Sequence, residues 1–160
     1  MANSRHSGGV TLVEMLVVLG IIIVLAGIVV PLTLRVENQS KENALRNAFA
    51  LVDSALHEYY DFKGQFPSQA ERNSAHALTH VELMVQELRA VPASREVLVK
   101  IDSSLVKREG GTADVQSLRD PWGTVLDYLC APDDTFPELI SAGPDKQFGT
   151  GDDISSKGKR

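Results

Sequence analysis

Hydrophobic and polar positions follow two different rules along this chain. From Met15 to Leu34 there are 20 residues without a charge, rich in Val, Ile and Leu on every side of a helix rather than on one stripe. At about 1.5 Å per residue such a run covers roughly 30 Å, the thickness of a bilayer's hydrocarbon core. Residues 10–34 are therefore predicted to form one transmembrane helix; a buried core helix, the alternative, rarely needs this length. Gly20, Ala26 and Gly27 would let such helices approach closely in lipid. Pro31 is expected to kink the helix or melt a turn, because its ring meets the carbonyl of Gly27.

Past Arg35 the pattern becomes a helical beat. Leu45, Ala48, Phe49, Val52, Ala55, Leu56, Tyr59 and Tyr60 recur at threes and fours, with Lys41, Glu42, Arg46, Asp53 and Glu58 opposite them. Residues 10–63 thus read as one long helix, anchored at its start, packed at its end and stopped by Gly64 and Pro67. A second helix is predicted from Leu78, Val81, Met84, Val85 and Leu88, ending before Pro92. Residues 93–119 stay open: Ser94 can cap a short helix through Ile101, while Val97–Ile101 serves equally as a strand, and Gly110-Gly111-Thr112 reads as a loop. Asp120-Pro121-Trp122-Gly123 predicts a turn into a strand over Val125–Cys130, with Glu138–Ala142 as its partner.

Composition narrows the chemistry. With 16 basic and 21 acidic side chains and a net charge of -5, nothing points to nucleic acid. Cys130 is the single cysteine, so no intrachain disulfide forms; it reads as a small buried strand residue, with a reactive thiol as the second reading. His76 and His80 lie four apart and could hold a metal on one helix face, yet no third-ligand pattern accompanies them, and solvent-exposed histidines are expected. His6, His57, His76 and His80 have no evident Ser or Cys partner, and no phosphate loop, nucleophile elbow or zinc signature occurs, so the chain is read as not an enzyme.

One acidic loop remains. Gly143-Pro144-Asp145-Lys146-Gln147-Phe148-Gly149-Thr150-Gly151-Asp152-Asp153 reads either as a set of Asx turns or as an oxygen-rich site for a hard cation. It is not an EF-hand, since Ser156 stands where the closing Glu is required. The tail from Ser155 to Arg160 is expected to be disordered.

The residues ahead of the apolar run identify its kind. Met1–Gly9 is polar, with Arg5, His6 and no acid, and the small residues Gly8 and Gly9 precede the run, whereas a secretory signal peptide carries them after it. Gly9-Val10-Thr11-Leu12-Val13-Glu14 resembles the type IV pilin family, whose prepilins carry a basic leader ending in Gly, an aromatic residue, Thr, Leu and a Glu. Gly9, Thr11, Leu12 and Glu14 match; Val10 departs, standing where the family usually has Phe. The resemblance implies cleavage after Gly9 by a prepilin peptidase, N-methylation of Val10, and pairing of Glu14 with the terminal amine of a neighbouring subunit; Pro31 falls where the family also places a proline. On chemistry alone Glu14 is unfavourable near lipid unless it is paired or snorkels to headgroups, and the inter-subunit pair that the resemblance implies, at ~4 Å, attracts by about 4 kcal/mol at an effective dielectric near 20, before desolvation.

The turn Asp120-Pro121-Trp122-Gly123 is similar to one that major pseudopilins of type II secretion carry before a C-terminal sheet, relative to which residues 93–119 look like an insertion. Those pseudopilins hold calcium in the C-terminal loop, which implies calcium on Asp145, Asp152 and Asp153 as a clamp in place of a disulfide. The expectation is an α+β, pilin-like fold, with a leader at 1–9, a transmembrane and assembly helix at 10–34 and an extracytoplasmic domain at 35–160 whose long helix packs on a small antiparallel sheet. The implied function is that of a structural subunit of a type II secretion pseudopilus in the bacterial inner membrane, its C-terminal domain periplasmic. Its partners would be copies of itself, the prepilin peptidase, other pseudopilins and the inner-membrane assembly platform. Two alternatives stay open: a type IV pilus or competence pilin, and a membrane-anchored calcium-binding domain that never polymerises.

Overall fold

The computed structural model describes residues 11–69, 71–108, 116–131 and 134–158, with the backbone alone at 28–35. The protein is α+β, built of helices and two small antiparallel sheets, and it divides into two compact units, Met1–Gln39 and Ser40–Arg160. Helix α1, Leu12–Lys63, contributes to both.

In the first unit α1 begins after Thr11, whose hydroxyl accepts the Glu14 N–H and whose carbonyl accepts the Met15 N–H, each at 3.2 Å. Every residue from Leu12 to Gly27 is exposed. The helical backbone continues unbroken through Pro31, so the melted turn expected there is absent. One proline removes a single hydrogen bond, which the turns on either side outlast. Among the described residues no helix is long and apolar enough to cross a membrane. The described side chains of the apolar run stop at Gly27, short of the predicted span's end at Leu34.

In the second unit α1 buries Leu45, Ala48, Phe49, Val52, Ala55, Leu56 and Tyr59, the stripe its period predicts. Tyr60 does not join them: it is exposed and lies against Phe66, ring centroids 4.7 Å apart. Asp53, expected on the solvent face, is half-buried, and burial raises its carboxyl above the ordinary value. The helix closes at Gly64, whose positive φ of 74° lets its N–H reach the Tyr60 carbonyl at 2.7 Å.

A short 3-10 turn, Ser74–His76, capped by the Asn73 side chain, leads into α2, Ala77–Ala90. Its buried face is Ala77, His80, Val81, Met84, Val85 and Leu88, with Leu78 turned outward. Val91 is extended and Pro92 opens α3, Pro92–Leu98, since a helix's first position needs no N–H. The open segment therefore takes its helical reading, although Ser94 is buried inside that helix rather than capping it. Strands β1, Val106–Arg108, and β2, Gln116–Leu118, pair antiparallel with Lys107 opposite Ser117. The predicted loop at Gly110, Gly111 and Thr112 lies outside the described residues.

The turn at Asp120 is built as its residues dictate. Asp120 Oδ1 accepts the N–H groups of Trp122 at 3.0 Å and Thr124 at 2.8 Å, while Oδ2 accepts the Ser141 hydroxyl at 2.7 Å. The strand that follows is shorter than predicted: β3 spans Asp127–Leu129, and Val125 makes only an isolated bridge to Arg119. Strand β4, Glu138–Ser141, pairs antiparallel with β3, Tyr128 opposite Leu139. Strand β5, Ile154–Ser155, then adds to β4, which corrects the expectation of a disordered tail starting at Ser155. The cause is Ser156, whose N–H donates to the Leu139 carbonyl at 2.9 Å and whose hydroxyl accepts the Leu139 N–H at 3.1 Å. Lys159 and Arg160 lie outside the described residues.

The α1 stripe, the α2 face, Leu118, Leu126, Tyr128 and Leu139 form one hydrophobic core, with Trp122 packed at its edge. Because Leu88 is fully buried and Leu78 faces solvent, Leu88→Ala is expected to cost about 2–5 kcal/mol and Leu78→Ala under about 1 kcal/mol. Thermal unfolding of the two variants checks the ranking, and equal losses would contradict this placement of the α2 face.

Candidate functional site

Three places carry candidate chemistry. The first is the start of α1. Gly9 and Val10, expected to carry cleavage and N-methylation, lie outside the described residues, as does the side chain of Pro31. Thr11 and Glu14 occupy the N-cap and the third helical position, the spacing of a capping box, so the Thr-Leu-Val-Glu run has a local role in starting the helix. A carboxylate in the first turn also faces the positive end of the helix dipole. This signal was present in the spacing of Thr11 and Glu14. Behind them Leu12, Val13, Met15, Leu16 and the residues to Leu25 leave about half or more of each apolar side chain in contact with solvent.

The second place is the C-terminal loop. Gly143 takes a φ of 64°, and an added Cβ would run into the Asp152 carbonyl, so only glycine fits. Asp152 Oδ2 accepts the Asp145 N–H at 3.0 Å and its Oδ1 accepts the Thr150 hydroxyl at 2.5 Å. Asp145 Oδ1 accepts the Gln147 N–H at 2.8 Å, and Asp153 Oδ2 accepts the Gly149 N–H at 2.7 Å. The Thr150 hydroxyl first, and then the Asp145 N–H, hold the Asp152 carboxyl below its ordinary value. These bonds follow the Asx-turn reading. The loop brings Asp145 and Asp152 together, but each carboxylate is engaged by a loop donor. Among the described residues no group of three or more His, Cys, Asp or Glu side chains is arranged to hold a metal ion.

The third place was missed by reading the chain alone. His80, expected at the surface, is 5% exposed, and its Nδ1 sits 2.9 Å from Oδ1 of the buried Asp127. It is buried because it falls one turn after Ala77 and one before Met84, on the inward face of α2. His76 is exposed and contacts Glu71. Cys130 is half-buried just past β3 and gives its N–H to Gln69 Oε1 at 2.7 Å, so it is neither fully buried nor inside the strand. A scan against protein-family models and searches of curated proteins and solved structures return no match for this chain.

The loop makes two predictions. Gly143→Ala is expected to cost roughly 1–3 kcal/mol or more, since strain and collision add, whereas Gly149→Ala, at φ 87° with open space around it, carries strain alone and costs less; thermal unfolding of both separates them. Because the folded Asp152 value is depressed, its contribution is present above the ordinary 3.8 and is lost as the pH falls through the lowered value. Asp152→Asn should remove that step from an acid-unfolding curve followed by circular dichroism, and an unchanged curve would contradict it.

Proposed function

We propose that this chain is a structural, non-enzymatic subunit of a type II secretion pseudopilus, matured after Gly9 and assembled through the first part of α1. The observation that carries the proposal is the exposed apolar surface of Leu12–Gly27, opened by the Thr11 cap and Glu14. An apolar surface of this extent marks a partner or a membrane. Because it surrounds the helix instead of forming one stripe, it suits lipid on all sides, or copies of itself, better than one docking groove. The apolar sequence to Leu34 completes the roughly 30 Å that a bilayer requires. The α+β unit at residues 40–160 is then the part displayed outside the inner membrane, on the periplasmic side.

Calcium belongs to the proposal as a ligand that has to replace the loop donors on Asp145 and Asp152. A type IV pilus or competence pilin would share every feature of the helix, whereas a non-polymerising calcium-binding anchor would not need Glu14.

Three experiments test the proposal. Intact mass and N-terminal analysis of protein from host membranes should show a chain beginning at N-methylated Val10; a chain still starting at Met1 would sink the proposal. In cells, Glu14→Gln should be processed normally yet lower filament yield by at least about tenfold, the effect of losing about 1.4 kcal/mol; undiminished filaments would remove Glu14 from assembly. Millimolar calcium should raise the melting temperature of the parent chain and not of Asp152→Asn, and no shift in the parent would strike calcium from the proposal.

A further inference from the structure

We propose that His76 and His80 bind a divalent transition-metal ion, zinc fitting best, in a pocket at the start of α2. The pocket encloses about 260 Å³ and is lined by both histidines together with Ser68, Gln69 and Glu71. Nothing in this site depends on polymerisation or on the C-terminal loop.

The chemistry starts from the His80 ring. Its Nδ1 faces the Asp127 carboxylate at 2.9 Å and the Gln69 amide nitrogen at 3.2 Å. Gln69 is oriented by its Oε1, which accepts the Cys130 N–H, so its NH₂ is the group turned toward the imidazole. A carboxylate only accepts and an amide NH₂ only donates, so the two make opposite demands on Nδ1. The shorter, charge-assisted bond prevails, and the proton sits on Nδ1 and is donated to Asp127. Nε2 is then a bare lone pair. It is buried and has no partner, and a buried acceptor left in that state costs about 1–3 kcal/mol. An imidazole oriented through Nδ1 by a buried carboxylate, with Nε2 free, is the arrangement that metal-ligating histidines adopt.

His76 supplies the second half. It lies one helical turn earlier, and its ring centroid is 6.5 Å from that of His80, the planes crossing at 85°. Its Nδ1 is engaged by Glu71, so it too has a carboxylate on Nδ1 and keeps Nε2 for a ligand. Zinc–nitrogen bonds of about 2.0–2.1 Å to both histidines require the two rings to approach one another. His76, exposed at the end of the 3-10 turn, can make that movement while Asp127 holds His80. Two imidazoles leave further positions of the ion to water. Neutral imidazole selects zinc and its transition-metal neighbours over calcium, which prefers oxygen.

The test uses the untagged full chain in detergent, titrated with zinc alone by calorimetry and with cobalt by visible absorption. The expected result is a single ion per chain, a cobalt spectrum showing nitrogen ligation, and a rise in melting temperature with zinc. His76→Ala, at an exposed site, should keep the metal-free melting temperature and weaken zinc binding at least about tenfold, and Asp127→Asn should weaken it by about 10–100-fold. Asp152→Asn should leave zinc affinity unchanged. Absence of zinc binding, equal affinity in His76→Ala, or loss of binding in Asp152→Asn would each overturn the proposal.

Discussion

Burial of the α1 stripe from Leu45 to Tyr59 is the constraint on which the folded unit depends. Seven residues of that stripe are almost fully removed from solvent, and the inward residues of α2 and of β2–β4 share one cluster with them. At about 25 cal/mol per Å² of apolar surface, this burial is the main force available to a chain whose only cysteine is unpaired. The phenols inside it are satisfied at its boundary. Tyr59 gives its hydroxyl hydrogen to Glu87 at 2.8 Å, and burial together with that bond pushes its pKa up to about 12. Tyr128 donates to the Pro67 carbonyl at 3.0 Å, which ties β3 to the segment that follows α1.

Carboxylates do the local fastening. Asp120 holds its own turn and reaches Ser141 at the end of β4; Asp152 spans the C-terminal loop; Asp127 orients His80. Each accepts from donors that would otherwise be left unpaired, and hydrogen bonds to an ionised acceptor are the stronger kind. Asp120 and Asp127 are buried, so these two of the 21 acidic side chains act inside the fold rather than at its surface.

The same helix therefore does two jobs with two surfaces. Between Ser40 and Lys63 its apolar side is covered by the rest of its unit, while between Leu12 and Gly27 apolar side chains stand uncovered. The filament subunit proposed above would need this division: a segment whose environment can change from lipid to copies of itself, and a unit whose own core does not depend on that exchange. The two carboxylate-backed histidines sit in the second unit, so the proposed metal site and the proposed assembly surface are separable.

The one-dimensional pattern by itself determined the apolar start, the α1 stripe, both helix-ending signals and the Asp120 turn, because each is a local matter of period, backbone freedom or side-chain reach. It misjudged features set by distant partners. His80 looked exposed because a histidine carries no sign of the Asp127 that meets it 47 residues later. Ser155 and Ser156 looked like a tail because the edge of β4 that orders them is invisible along the chain. Tertiary structure decided these points for one physical reason: a polar side chain's role is set by the donor or acceptor it meets, and that partner is chosen only when the core brings distant segments together.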